Sequence, residues 1–191
     1  MTDSPAAQPM PMPTSVRVRP ARADEAAALA ELAAATFPLA CPPHTTAEAI
    51  AAFLREVLAP TNFASYLADP DRLLLVAADG DSGELSGYTM LVFGEPSDAD
   101  AAAAIRIRPT AELSKCYVRA DAHGTGTAAA LMTATLDAAR QRGAAGSWLG
   151  VNQENGRALR FYGKHGFAPV GTKHFLVGTR YEDDYVLERP L

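Results

Sequence analysis

The most promising site for chemistry is a strand-like segment, ELSKCYV (112–118), that leads into a glycine turn, HGTGT (123–127), and then into a long helical pattern. The first turn of a helix has four backbone N–H groups without internal partners, and the helix dipole adds partial positive charge there. Gly124 and Gly126 let a ligand approach the backbone closely. The turn therefore predicts a binding site for an anion, and a pyrophosphate suits it.

Other ligand classes use similar turns. Gly124, Gly126 and Ala129 match the G-x-G-x-x-A pattern of a dinucleotide site. Such a fold needs an acidic residue at the end of the next strand, whereas Asn152 follows Val151 here and only about forty residues remain. A P-loop needs Lys-Ser or Lys-Thr after the second glycine, which this turn does not have. From the glycines alone, a tight strand-to-helix turn without a ligand stays open.

Two longer stretches resemble the acetyl-CoA-binding core of the GNAT superfamily, namely AELSKCYVRADAHGTGTAAALM and WLGVNQENGRALRFYGKHGF. The family pattern N-x-x-A-x-x-F-Y-x-x-x-G-F is met by Asn155, Ala158, Phe161, Tyr162, Gly166 and Phe167. The tail GTKHFLVGTRYEDDYVLERPL and the helical N-terminal layout are also similar to bacterial spermidine/spermine acetyltransferases within the superfamily. The resemblance implies an α/β (α+β) GNAT acyl-CoA N-acyltransferase fold, with a mixed, mostly antiparallel twisted sheet of about six or seven strands and about four helices.

The resemblance implies acetyl-CoA as cosubstrate and a site for it along both stretches. The backbone of Cys116, Tyr117 and Val118 would pair with the pantetheine arm at a splayed strand edge. The pyrophosphate would be bound by the turn residues His123, Gly124, Thr125, Gly126 and Thr127. Asn152 and Asn155 would bond the cofactor from the opposite side. Asp121 departs from the family, which usually has Arg or Gln three positions before the first glycine. Because a carboxylate would repel phosphates, we expect Asp121 to face solvent or a cation such as Arg119.

The resemblance also implies three catalytic groups. An alkyl amine with a pKa of about 10.4 is protonated at neutral pH, so the reaction needs a proton acceptor. Glu112 stands where relatives carry a glutamate that accepts this proton through water, although an exposed strand-end carboxylate is the simpler interpretation. Asp183 and Asp184 are rivals for binding or deprotonating a cationic acceptor. Tyr162 would contact the cofactor and protonate the leaving thiolate, or else be a core aromatic. The Cys116 amide would face the thioester oxygen, while its thiol only packs.

These residues predict direct acetyl transfer to a primary amine, since no Ser or Cys has a recognisable nucleophile–base arrangement. A polyamine such as spermidine is the acceptor that the narrower resemblance implies. Two alternatives stay open. One is a non-catalytic GNAT-fold sensor or interaction module that binds an acyl-CoA, for which Asp121 argues; the other is an aminoglycoside or protein N-terminal acetyltransferase. His123, His165 and His174 show no ligand spacing, so no metal is predicted.

The elements that must position these residues alternate between strands and helices. The expected strands cover 16–19, 73–78, 88–93, 112–118 and 148–151, followed by two after residue 167. The expected helices cover 25–37, 47–59, 62–68, 124–142 and 154–165. Asp24 is the expected cap of the first helix, and Thr45 with Glu48 forms a possible capping box for the second. The tract EPSDADAAAA (95–104) is expected to be a surface loop.

The composition bounds the remaining possibilities. A net charge of −5 provides no basic field for nucleic acid. Two cysteines, Cys41 and Cys116, are too few for a disulfide framework, which favours a cytoplasmic setting. The proline-rich residues 1–14 predict a disordered tail without secretory features, and no run approaches the ~18 apolar residues of a membrane span. With 191 residues, 48% of them hydrophobic, the chain predicts one domain over 15–191, and a homodimer is compatible with it.

Overall fold

The structure is a computed structural model that describes residues 16–80, 82–177 and 180–191. The strands in these ranges form one sheet with the order β1-β2-β3-β4-β5-β7-β6. Their bounds are β1 (Val16–Pro20), β2 (Arg72–Asp79), β3 (Leu85–Phe93), β4 (Thr110–Val118), β5 (Gly146–Asn152), β6 (Ala168–Val177) and β7 (Arg180–Pro190). β4 and β5 are parallel, and the other neighbouring pairs are antiparallel. The predicted mixed, mostly antiparallel sheet is thus confirmed, whereas the predicted tail over 1–14 lies outside the described residues.

Six α-helices occur in the described ranges, five of them at the expected positions and one more in the tract 95–104. They are α1 (Ala26–Thr36), α2 (Ala47–Glu56), α3 (Pro60–Ala68), α4 (Ala99–Ala104), α5 (Thr127–Gln141) and α6 (Gly156–Lys164). The prediction of a surface loop over 95–104 is wrong, because this tract contains α4. The Asp98 carboxylate caps α4 by accepting from Ala101 N at 2.9 Å, and Ala101 is fully buried in a cluster with Trp148 and Val186. Within the described ranges, no helix is both long and apolar enough to cross a membrane.

Two predicted helix caps are wrong. Asp24 lies inside a 3-10 turn (Ala23–Glu25), where it pairs with Arg22, and α1 begins after that turn. Thr46, rather than Thr45, caps α2, since its Oγ1 accepts from Ala49 N at 3.2 Å. Thr45 and Thr46 have the same capping ability, so composition alone cannot decide which of them begins α2.

Both faces of the sheet are covered, which explains the continuous apolar run in β2. On one face, α1 and α3 pack over a core that includes Leu29, Phe63 and Tyr88. On the other face, α5 and α6 enclose a core that includes Met132 and Leu149. The two layers leave the middle of the sheet accessible only where neighbouring strands separate.

β4 and β5 separate in the middle of the sheet. They pair only from Thr110–Glu112 to Gly146–Trp148, and beyond Glu112 the two strands diverge. The other edge of β4 keeps its antiparallel pairing with β3 as far as Val118. The result is a fork with one strand on each side, which opens towards the turn before α5.

Candidate active site

A cavity of about 720 Å³ occupies the fork and holds most of the predicted site residues. Its walls come from β4, the start of α6 and the turn before α5, and on the opposite side from the α1–α2 connection, β6 and β7. The predicted site residues that line it are Glu112, Cys116, Tyr117, Val118, His123, Gly124, Asn152, Asn155 and Tyr162. Thr125, Gly126 and Thr127 lie in the adjoining turn and are not among the described residues that line the cavity.

The turn before α5 has the backbone conformation that an anion site requires. Gly124 and Gly126 have φ angles of 79° and 93°, and Gly126 is the N-cap of α5. A Cβ added at either glycine would meet no atom within 4 Å, so the backbone faces open space. The Thr125 hydroxyl donates to Ala122 O at 2.8 Å and also bonds with the Thr127 hydroxyl at 2.9 Å. The Thr125 N–H donates to Ala122 O at 3.5 Å, whereas the N–H groups of Gly124 and Gly126 have no partner among the described residues. These two N–H groups fit the diphosphate of coenzyme A.

A cation from α6 lies beside this turn. His123 contacts the carbonyl of Val118 through Nε2 at 3.0 Å, and its Nδ1 lies 3.2 Å from Nη1 of Arg157. Because guanidinium can only donate, Nδ1 accepts this bond and Nε2 carries the proton. Arg157 was not predicted as a site residue. The available signal was its positive charge inside the family pattern, between Asn155 and Ala158.

Asp121 does not face the cavity. Its carboxylate pairs with the Arg119 guanidinium at 2.9 Å, and both side chains are solvent-exposed. The hydrogen bond from Arg119 lowers the pKa of Asp121 below its ordinary value. The expectation that Asp121 faces solvent or Arg119 is confirmed, so its charge is compensated away from the phosphate turn.

The two predicted asparagines stabilise the connection between β5 and α6. Asn152 Oδ1 accepts from Glu154 N at 2.8 Å, and Asn155 Oδ1 caps α6 by accepting from Ala158 N at 3.0 Å. Both residues lie at the cavity wall. Their contact with the cofactor remains a prediction.

A bulge in β4 decides which of its side chains share a face of the sheet with Glu112. The register pairs Val92 with Glu112 but Met90 with Lys115, so one residue of β4 has no partner on β3. Glu112 and Lys115 therefore lie on the same face, although they are three positions apart. Cys116, two steps from the bulge residue, lies on the opposite face with α5 and α6.

Burial dominates the electrostatics around Glu112. Loss of solvation raises the pKa of Glu112, against the opposing charges of Lys173, Lys115 and Arg72. Burial likewise lowers the pKa of Lys115 to about 8, partly offset by the Glu112 carboxylate. The fork thus contains a carboxylate that is a stronger base than an exposed glutamate, close to a lysine that loses its proton more easily than usual.

The edge hairpin adds a second buried carboxylate. Asp184 lines the cavity, and burial raises its pKa to about 6, against the charge of Lys173. A Cβ on Gly150 would lie 2.6 Å from Cε of Lys173 and 3.2 Å from Oδ2 of Asp184, so glycine makes room for both. Asp183 instead is exposed and pairs with His174 at 3.1 Å. Of the two rival aspartates, Asp184 is the one that reaches the site.

Two residues at the acceptor end were not predicted. Glu182 lies on the same face of β7 as Asp184 and is nearly buried, and His44 Nε2 lies 2.9 Å and 3.1 Å from its two carboxylate oxygens. This contact ties the α1–α2 connection to β7. The alternation of Glu182 and Asp184 with exposed neighbours, leading to buried Val186, was the available signal.

Tyr162 and Cys116 form the wall next to α6. Burial raises the pKa of Tyr162 well above its ordinary value, and the neighbouring Cys116 thiol raises it further. Its ring packs edge-on against Phe167, with 5.9 Å between centroids. Burial also raises the pKa of Cys116 to about 12 and that of Cys41 to about 11. At neutral pH the site therefore holds a neutral phenol and two protonated thiols.

The chain is similar to known acetyltransferases along most of its length. A family model described as the acetyltransferase (GNAT) family matches residues 27–167. Uncharacterised N-acetyltransferases of Mycobacterium tuberculosis and Mycobacterium bovis are each 47% identical over 163 residues, which is 85% of this chain and 96% of theirs.

Solved structures of low identity share the fold. The PaiA N-acetyltransferase of Thermoplasma acidophilum, in complex with coenzyme A, has a TM-score of 0.72 at 19% identity and covers 93% of this chain and 99% of its own. An Arabidopsis thaliana protein in complex with a bisubstrate analogue has a TM-score of 0.70 at 18% identity, covering 92% of this chain and 98% of its own. The expected fold is confirmed.

Proposed function

The chain belongs to the GNAT acetyltransferase family and is an acetyl-CoA-dependent N-acetyltransferase, and we propose that it transfers the acetyl group directly to a primary amine, with a polyamine such as spermidine as the acceptor. One observation carries this proposal: a single cavity joins the anion-binding turn before α5 to a set of buried carboxylates. Bound acetyl-CoA would supply a thioester carbonyl that an amine can attack. The coenzyme A complex of the Thermoplasma relative supports the same use of the fold.

Glu112 is the proposed proton acceptor. It lies at the point where β4 and β5 separate, and it lines the cavity between the proposed cofactor half and the proposed acceptor half. Burial raises its pKa, which makes it a better base for an ammonium proton than an exposed carboxylate. Asp184 is the proposed partner for the positive charge of the acceptor, since it is buried in the same cavity.

Tyr162 is the proposed proton donor to the departing thiolate. Its phenol is neutral at working pH because burial raises its pKa, and it lines the same cavity wall as Cys116. A second stabilising group would be the Cys116 amide, since one well-placed donor to a developing oxyanion is worth about 3 kcal/mol. The high pKa of the Cys116 thiol supports direct transfer over an acyl-enzyme, because the thiolate is the nucleophilic form.

The charge of the acceptor half favours a cationic substrate. Glu112, Glu182 and Asp184 line it, and Lys115 and Lys173 balance part of their negative charge. A long, flexible amine with several positive charges can use more than one of these carboxylates. This is the structural support for a polyamine.

A peptide amino terminus is the second candidate. Leu39 and Leu176 line the cavity mouth with side chains that are 45% and 48% exposed. Apolar side chains at a cavity mouth suit an acceptor whose reactive amine is followed by an apolar segment. Only the acceptor differs between the two candidates, since both require the same transfer chemistry.

A panel of amines separates the candidates. Purified protein is mixed with acetyl-CoA and with spermidine, an aminoglycoside or a peptide with a free amino terminus, and released thiol is measured with a chromogenic thiol reagent. We expect the highest kcat/KM with spermidine, and mass spectrometry should show one added acetyl group. If the peptide is the better substrate, the second candidate replaces the first. If calorimetry shows coenzyme A binding but no amine is acetylated, the amine-acceptor proposal fails.

A further inference from the structure

The chain has three lysines, Lys115, Lys164 and Lys173, and they occupy very different surroundings. Lys164 is exposed at the end of α6. Lys173 is held among the carboxylates at Gly150, with Nζ 3.9 Å from Asp98 Oδ2. Lys115 lines the cavity from β4, and its Nζ lies 5.5 Å from the centroid of the Tyr66 ring.

The ammonium of Lys115 lacks the partner that a buried charge usually has. It makes no hydrogen bond or salt bridge with any residue in the described ranges, although Glu112 acts on it through space. Arg72, which stacks on the same Tyr66 ring at 4.8 Å, adds a like charge nearby. A half-buried ammonium without a hydrogen-bonded carboxylate is costly, so it gives up its proton more readily than an exposed one.

This response makes Lys115 a nucleophile. With a pKa of about 8, roughly one Lys115 in ten is a neutral amine at pH 7, against roughly one in three thousand for an ordinary lysine. The neutral amine is the form that attacks a thioester. Burial therefore helps to deprotonate Lys115, and any amine acceptor must lose a proton in the same way before it can attack the thioester.

The bulge in β4 places this amine on the acceptor side. Because the bulge lies between Glu112 and Lys115, both side chains face the same half of the cavity. Lys115 is also the residue before Cys116, whose amide we assign to the thioester oxygen. The four rotatable bonds of a lysine give its Nζ a reach of several ångströms around that point.

We propose that Lys115 is itself an acceptor, and that the enzyme acetylates Lys115 Nζ from bound acetyl-CoA when no amine substrate fills the cavity. The inference rests on the proposed function, because it uses the same transfer site. In this step the bond between the acyl carbon and sulfur breaks and a bond between the acyl carbon and Nζ forms. The neutral amine loses one proton, the thiolate gains one, and the products are an amide and coenzyme A with a free thiol.

Acetylation of Lys115 would change the acceptor half. It removes a positive charge from a region that we expect to bind a cation. The modified enzyme should therefore have a lower KM for spermidine than the unmodified enzyme, whereas the affinity for coenzyme A, which binds at the other end, should be the same.

The test is site-resolved mass spectrometry of the full-length protein. The protein is incubated with trideuterated acetyl-CoA without an amine, and labelled peptides are quantified over time. Exposed Lys164 reports the rate of non-enzymatic acetylation in the same sample. We expect Lys115 to be labelled at least tenfold faster than Lys164, and saturating spermidine to protect Lys115 but not Lys164. Equal labelling of the two lysines, or no protection, would overturn the proposal.

Two controls keep the outcome clear. Lys115→Arg keeps the charge and removes the acceptor nitrogen, so the fast label should disappear from the whole protein. In the absence of acetyl-CoA, trace labelling with acetic anhydride across pH should show Lys115 reactivity rising near pH 8, well below the rise of Lys164. If amines are acetylated while Lys115 stays unlabelled, this inference alone is wrong; if neither is acetylated, the proposed function is wrong as well.

Discussion

At its proposed cofactor end, the cavity is bounded by residues 116–118, 123–124 and 128, which are close together in sequence, with the start of α6 beside them. At its acceptor end, side chains come from the α1–α2 connection, β4, β6 and β7, which are far apart in sequence. The first end offers mainly backbone N–H groups at the start of α5, and the second offers charged side chains. The cofactor is shared by a whole family, which suits a site built from the backbone. Acceptors vary within the family, which suits a site built from side chains that can change one at a time.

The difference also decides how each end responds to mutation. Among substitutions only proline deletes a backbone donor, and other changes can only displace it, so the cofactor end should be sensitive mainly to changes in its glycines. Charged side chains can be neutralised one at a time, so the acceptor end should respond residue by residue. The predictions below test this contrast.

Neutralising Glu112 should have the largest effect. Glu112→Gln removes the proposed proton acceptor while keeping the size of the side chain, and kcat/KM should fall by roughly 100- to 1000-fold. In the unaltered enzyme, kcat/KM should decline as pH falls through the pKa of Glu112, which burial raises, and so at a higher pH than an ordinary glutamate would give. The variant should lose this acidic limb. A coenzyme A affinity that drops in parallel would contradict the separation of the two ends.

Removing the Tyr162 hydroxyl should come next. Tyr162→Phe keeps the packing against Phe167 and should lower kcat by roughly 10- to 100-fold while calorimetry shows unchanged coenzyme A binding. Cys116→Ala is the matched control, because it deletes the sulfur that Tyr162 contacts but leaves the backbone amide in place. Its kcat should stay within about threefold of the parent. Unaltered turnover of the tyrosine variant across pH would remove the acid role.

A side chain on Gly126 should weaken the cofactor end selectively. At a φ of 93° the alanine of Gly126→Ala is strained by about 1 kcal/mol, and its methyl group projects into open space beside the turn. The dissociation constant for coenzyme A should rise about tenfold, equivalent to about 1.4 kcal/mol. Gly163→Ala, in α6 with open space around it, is the control and should leave binding unchanged. Equal affinities of the two variants would argue against an anion at this turn.

Two neighbouring aspartates on β7 test whether a buried carboxylate binds the acceptor. Asp184→Asn should raise the KM for spermidine about tenfold, since it removes a buried charge that faces the cavity. Asp183→Asn alters the adjacent, exposed residue and should leave that KM unchanged. Steady-state kinetics over a range of spermidine concentrations decide between the two. The same KM for both variants would mean that β7 does not contact the acceptor.

Asp121→Asn should have the smallest effect. Because this carboxylate is exposed and compensated by Arg119, its removal should change the coenzyme A dissociation constant by less than about twofold. Calorimetry at low and moderate salt gives the comparison. A clear gain in affinity would show that Asp121 does act on the phosphates.

Local features were predicted well, and non-local ones were not. The strand at 112–118 and the helices around 62–68 and 124–142 have strong periodicity and clear ends, and each is present within a few residues. The tract 95–104 was predicted as a loop because its alanines carry no amphipathic pattern. The burial of Ala101 against Trp148 and Val186, together with the Asp98 cap, stabilises α4 in place.

The sequence by itself determined the cofactor end, because a glycine turn between a strand and a helix specifies its backbone angles, and hence its exposed N–H groups, over a few residues. Tertiary structure alone decided the acceptor end. The bulge in β4 arises from its pairing with β3, and it brings Glu112 and Lys115 to one face against the simple alternation of a strand. Likewise Asp184 and Glu182 reach the site only because β7 pairs with β5 across the sheet. Strand register depends on partners distant in sequence, which a local pattern does not encode.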